Sequence, residues 1–227
     1  MLQINKNMSL LALTSILLFF FMAFTAIDAR ILPPAVVDTD GNPVQVGVYY
    51  HLVPPPRLGA GGGLALGPNR NHSKTCPLSV VQLGLDAMRA LPIRFIPVAP
   101  LGDGVDVRTS TDYIFEFNTT GTNSSICGKE PKWKVDEFDG SVGTYFISTT
   151  NEITTGMAYK FQIRRFGSIE SVTTYKLFCC TTYPFVLCID VGVYRDADGV
   201  QRLALTNDSP LELVFSKASS VEQINVL

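Results

Sequence analysis

Two histidines, His51 and His72, and one tryptophan are all that this 227-residue chain holds of those side chains. With so few imidazoles, and with no Cys-x-x-Cys pair, the donor spacing of a structural zinc site is missing. Positive charge is not in excess either. Eighteen Lys and Arg face 20 Asp and Glu, for a net charge of −2, and no cationic cluster occurs. Nucleic acid is therefore a poor partner. The chain has no Gly-x-Ser-x-Gly elbow, and Gly59-Ala60-Gly61-Gly62-Gly63 lacks the Gly-Lys-Ser/Thr ending of a phosphate loop. His51 sits beside Tyr50 in strand-like sequence and reads as structural, while His72 falls in a polar loop. Glu116 and the pair Asp136/Glu137 read as strand-face or turn residues without chemistry. The expectation is a non-enzyme with no catalytic residue, no cofactor and no metal.

Long apolar runs are absent too, except at the start. Lys6 precedes an unbroken apolar stretch from about Leu10 to Ala26, and Ile27-Asp28-Ala29 offers a small residue for cleavage. That order is the pattern of a secretory signal peptide. A signal anchor is the rival, since the run is close to the ~20 apolar residues that span a bilayer. Residues 1–29 are read as a removed signal. Residues 30–227 are read as one domain with a short tail, 218–227. The mature protein is expected to be secreted or vacuolar, without stable membrane insertion.

Five cysteines remain: Cys76, Cys127, Cys179, Cys180 and Cys188. A secretory route permits disulfides. An odd count leaves either one free thiol or one bridge between molecules. Four Asn-x-Ser/Thr sequons, at Asn71, Asn118, Asn123 and Asn207, are candidate glycosylation sites.

Helical periodicity is nearly absent, and Val80–Leu91, the best helical window, stops at Pro92. Strand signals recur instead, with apolar and polar residues alternating in Gly47–Val53, Tyr113–Phe117, Lys132–Val135, Thr144–Ile147, Tyr159–Ile163, Tyr175–Phe178, Val191–Tyr194 and Leu211–Phe215. Asp40-Gly41, Asp139-Gly140 and Asp198-Gly199 supply hairpin turns. Many short strands punctuated by turns mean a sandwich or a barrel. Periodicity alone does not choose between them.

A more specific signal is Val36-Val37-Asp38-Thr39-Asp40-Gly41-Asn42-Pro43-Val44, followed after five residues by Tyr50-His51-Leu52. It resembles the N-terminal signature of the plant Kunitz (soybean trypsin inhibitor) family. Cys76-Pro77-Leu78-Ser79-Val80-Val81-Gln82, Tyr175-Lys176-Leu177, Asp190-Val191-Gly192-Val193-Tyr194 and Arg202-Leu203-Ala204-Leu205-Thr206 are similar to later parts of the same family. Val107-Arg108-Thr109-Ser110-Thr111-Asp112 resembles its miraculin-like members. The resemblance implies an all-β fold, a β-trefoil of twelve strands with two disulfides, Cys76–Cys127 and Cys180–Cys188. It leaves Cys179 as a buried free thiol, with an intermolecular bridge as the rival in an otherwise monomeric protein.

The same resemblance implies inhibition of an extracellular or digestive protease, chiefly of the serine class. One exposed, substrate-like loop would occupy the protease cleft. Here that loop falls at about residues 87–96 and includes Arg89, Ala90, Leu91, Pro92, Ile93, Arg94 and Phe95. Two departures weaken the case for trypsin. Pro92 stands at the position of the specificity residue, where its fixed φ suits a trypsin-like pocket poorly. Val46 stands where family inhibitors carry an asparagine whose amide supports the loop, and valine has no such donor or acceptor. A shifted scissile bond, Arg94–Phe95 or Arg89–Ala90, would restore a basic contact residue. The alternative is a non-inhibitory, miraculin-like defence, storage or taste-active protein.

Overall fold

The computed structural model describes residues 32–56, 61–71, 75–84, 90–100, 104–120, 127–128, 130–152, 160–181 and 187–218. The chain divides into residues 1–32 and 33–227, and the described strands all belong to the second unit. There are twelve of them: β1 Tyr50–Val53, β2 Leu64–Gly67, β3 Ser79–Gln82, β4 Ile93–Pro97, β5 Asp112–Phe117, β6 Lys132–Asp139, β7 Thr144–Thr150, β8 Phe161–Ile169, β9 Val172–Thr181, β10 Leu187–Arg195, β11 Gln201–Thr206 and β12 Val214–Lys217. No α-helix occurs among the described residues. The window from Val80 begins as β3 instead.

Every pairing is antiparallel. β12 pairs with β1, β1 with β4, β4 with β5, β5 with β8, and β8 with β9. Two backbone hydrogen bonds of 2.8 Å between Tyr175 and Leu213 join β9 to the residue just before β12. Those six strands therefore close into a ring. The other six form the pairs β2–β3, β6–β7 and β10–β11. β3, β7 and β11 meet one another through Ser79↔Ser148, Ala204↔Phe146 and Gln201↔Gln82. Two Asp-Gly pairs sit in hairpins as expected, between β6 and β7 and between β10 and β11. In the first the positive φ falls on Gly143 rather than Gly140; in the second it falls on Gly199.

Alternation drives the ring's core. Tyr113, Phe115 and Phe117 point inward from β5, Phe95 from β4, Trp133 from β6, Phe161 from β8 and Phe215 from just inside β12, all with 0 % exposure. Phe115 stands 5.2 Å from Trp133 and 4.9 Å from Phe95, ring centre to ring centre. Each such burial contributes about 1.5–3 kcal/mol. Three buried tyrosines also hold the backbone. Tyr50, Tyr113 and Tyr175, in β1, β5 and β9, accept the N–H groups of Gln45, Arg108 and Val37 at 3.1, 2.8 and 2.9 Å. The same latch recurs every fourth strand.

Cys76 and Cys127 are bridged, with Cα atoms 5.3 Å apart, tying the approach to β3 to the β5–β6 connection. Cys188 lies opposite Cys180 in the β9–β10 ladder. Cys179 is a free thiol, 1 % exposed, packed in the core. Burial, reinforced by the charge of Asp112, pushes its pKa up to about 11. So placed, it is out of reach of a thiol on another molecule.

Where the hairpins meet, Arg202 is wholly buried in an ionic network. It donates to Asp198 at 2.9 and 2.8 Å, to Asp196 at 3.1 Å, and to the carbonyls of Pro68 and Asn69 at 3.2 and 3.3 Å. Arg70 joins in, bonding Asp196 at 2.8 Å and pairing with Asp139 across the β6–β7 turn. The Arg70 hydrogen bond holds the Asp196 carboxyl below its ordinary value, while Ser141, with help from Arg70, does the same for Asp139. A depressed folded pKa contributes stability above the unfolded value, about 3.9, and loses it as pH falls through the folded value. The denaturant midpoint is thus expected to hold between about pH 7 and 5 and to fall below about pH 4. An Arg70→Met variant should lose part of that acid slope. Urea titrations from neutral to acid pH check this, and identical slopes in the two proteins would contradict it.

Candidate functional site

β4 and the connection leading into it carry the residues singled out for protease contact. Arg89 lies outside the described residues. Ala90 is half-buried over Gly63, where an added Cβ would come within 2.4 Å of the Ala90 Cβ. Leu91 is buried, and its N–H donates to Leu64 O at 2.8 Å. Pro92 is half-buried, its carbonyl accepting the Asn118 N–H at 2.8 Å. Ile93 and Phe95 are both 0 % exposed, with Ile93 set between Tyr50 of β1 and Phe117 of β5.

The expectation of an exposed loop across residues 87–96 is therefore corrected for Leu91 to Phe95. That stretch is core and strand. Its reason lies in alternation: Leu91, Ile93 and Phe95 are apolar at every second position, and two neighbouring strands stand ready to pair with them. A substrate-like loop must present its backbone to a protease cleft, and this backbone is already paired.

Arg94, one of the two basic alternatives, points to the other face of β4 and is fully engaged there. Its guanidinium reaches Glu116 at 2.5 and 2.6 Å and Glu130 at 3.0 Å, and it lies 5.5 Å from the centre of the Tyr49 ring. Burial works to lower the Arg94 pKa, but the hydrogen bond and charge of Glu116 outweigh it and the net shift is upward. Lys132 supplies Glu116 with a second cation at 3.3 Å. Tyr49 donates to Glu130 at 3.2 Å; burial first and that bond in addition raise its pKa. This constellation links the residue just before β1 to β4, β5 and β6, and no sequence motif signals it. Glu116, read as a strand-face or turn residue, lies in β5 and is 2 % exposed. The Arg94–Phe95 bond is thereby removed as a scissile bond, since one side chain is paired and the other is in the core.

The supporting turn is hydrogen-bonded to β4 through backbone. Val46 is half-buried against the core, with its N–H on Val105 O at 2.7 Å, and the next residue, Gly47, donates to Phe95 O at 3.3 Å. Of the sequon asparagines, Asn71 and Asn207 are exposed, Asn118 is half-buried, and Asn123 lies outside the described residues. His51 is half-buried in β1, and His72 lies outside the described residues.

Known proteins share this framework. Residues 36–217 match the legume Kunitz family, described as trypsin and protease inhibitors. A latex serine proteinase inhibitor from Carica papaya is 33 % identical over 83 % of this chain and 100 % of its own length. Miraculin from Synsepalum dulcificum is 32 % identical over 91 % of this chain and 97 % of its own. The solved structure of a Kunitz-type cysteine protease inhibitor from potato superposes with a TM-score of 0.65 at 29 % identity, covering 83 % of this chain and 100 % of that one.

Proposed function

Since this chain belongs to the Kunitz family of trypsin and protease inhibitors, we propose that it inhibits a serine-class protease through the connection between β3 and β4, with Arg89 as its specificity residue. One observation carries the placement: residues 91–95 are clamped. Leu64 O holds Leu91, Asn118 N–H holds Pro92, and Glu116 holds Arg94. A connection whose far end is fixed in this way loses less conformational entropy when a protease seizes it. With Arg94 engaged by Glu116 and Glu130, Arg89 is the basic residue of the original pair that remains for this role. The inhibitor contributes no catalytic group of its own, and the interface expected is of standard size, about 1,600 Å² in total.

The six-strand ring, the three hairpin pairs and the threefold tyrosine latch support a β-trefoil. The facing register of Cys180 and Cys188 supports a second disulfide between them. Residues 1–29 are read as a cleaved signal peptide, and the mature protein, 30–227, as a monomer of the apoplast or vacuole. A second reading, non-inhibitory and miraculin-like, draws on Val46: its side chain cannot bond to the loop that the family asparagine supports.

Titration of the mature protein against trypsin, chymotrypsin, subtilisin and papain separates the two. Sub-micromolar inhibition of a serine protease, with slow cleavage after Arg89 found by mass spectrometry, is the expected result. Rapid degradation without inhibition of any of them would move the assignment to the second reading.

A further inference from the structure

One of the four sequons adjoins the segment proposed to meet a protease. Asn118 directly follows β5, and its backbone N–H is bonded to the carbonyl of Pro92, where the chain enters β4. Its side-chain Oδ1 accepts the Thr120 N–H at 3.0 Å, so a tight turn holds together the two defining residues of the sequon. Thr119, between them, is fully buried and donates its hydroxyl proton to Gly128 O at 2.6 Å. The turn is thus anchored, while Thr120 is exposed and Asn118 is only half-buried. Asn71 and Asn207 are placed elsewhere, the first beside Arg70 in the ionic network and the second at the end of β11.

We infer that Asn118 carries an N-linked oligosaccharide that stands beside the entry to β4 and slows the approach of a protease to the β3–β4 connection. This rests on the inhibitor reading above and on passage through the secretory pathway. The modification is a group transfer from a lipid-diphosphate-linked oligosaccharide. The Asn118 amide nitrogen bonds to the anomeric carbon as the carbon–oxygen bond to the diphosphate breaks. The amide proton passes to a base of the transferase, and the lipid diphosphate leaves. Nothing is oxidised or reduced. Such a group is bulky and solvated, and at Asn118 it is tethered one hydrogen bond away from Pro92. It obstructs encounter rather than altering the contact surface, so its effect falls on the association rate.

The test uses the full chain secreted from a plant host, with Asn118→Gln, Thr120→Ala and Asn207→Gln variants. Thr120→Ala removes the sequon yet leaves the Asn118 side chain and its backbone donor, the N–H of residue 120, in place. Glycosidase release in heavy-oxygen water reads occupancy by mass. Asn118 is expected to be occupied, and both variants at that sequon should associate with a trypsin-like protease about tenfold faster, within the one to three decades over which such rates vary. Asn207→Gln should associate at the parent rate. An unmodified Asn118, or unchanged rates in both variants, overturns the inference. If no form inhibits any protease, the inhibitor reading fails separately, and obstruction is read instead from trypsin cleavage after Arg89. Faster cleavage in both variants then upholds it, and equal cleavage rejects it.

Discussion

An Arg89→Ala variant should lose about 2–4 kcal/mol of affinity for a trypsin-like protease, roughly 30- to 1,000-fold, as expected of a central anchor residue. Its unfolding midpoint should match that of the parent. Arg94→Ala should do the opposite. Removing that guanidinium leaves the Glu116 carboxylate, whose side chain is 3 % exposed, with Lys132 as its remaining cation at 3.3 Å. Breaking such a pair costs about 3 kcal/mol, the low end of the range for buried ion pairs, because Lys132 stays and Arg94 itself is partly exposed. The folded fraction should nevertheless inhibit with an unchanged constant. Urea denaturation and inhibition titrations on both variants give a crossed pattern if the assignment is right. Loss of inhibition in Arg94→Ala at full stability would return the contact residue to β4 and refute it.

Arg202→Leu is expected to destabilise the protein by about 3–5 kcal/mol, since it leaves the carboxylates of Asp198 and Asp196 beside an apolar side chain. These side chains are 19 % and 12 % exposed, so water replaces little of what they lose. The carbonyls of Pro68 and Asn69 lose their donor in the same change. A double variant with Arg202→Leu and Asp198→Asn should recover part of the loss, because it removes one of the two carboxylates that lost the cation, while Asp196 keeps Arg70 at 2.8 Å. Guanidinium unfolding of the two variants measures this. A cost below about 1 kcal/mol for Arg202→Leu would show that the network is neutral.

Strands whose side chains alternate cleanly were legible in the sequence. Tyr113-Ile114-Phe115-Glu116-Phe117 announced β5, and the Asp-Gly pairs marked two hairpins. β4 was not read as a strand, because the family resemblance assigned about residues 87–96 to an exposed loop. Yet Leu91, Ile93 and Phe95 already stood at alternate positions, the spacing of a strand with one buried face. The burial of Glu116 was hidden for a different reason. Its countercharges, Arg94 and Lys132, come from separate strands, and no local window brings the three together. The tyrosine latches were hidden in the same way: Tyr50, Tyr113 and Tyr175 were visible, but the bonds they accept depend on turns that only the folded chain supplies.

Those latches divide labour within the molecule. Three copies of one device fasten the ring, and none of them involves the connection ahead of β4. Architecture is thus repetitive and redundant, whereas the proposed recognition falls on a single asymmetric stretch. Mutation can revise that stretch without loosening any latch, so a lineage of such chains can change its target while its scaffold persists.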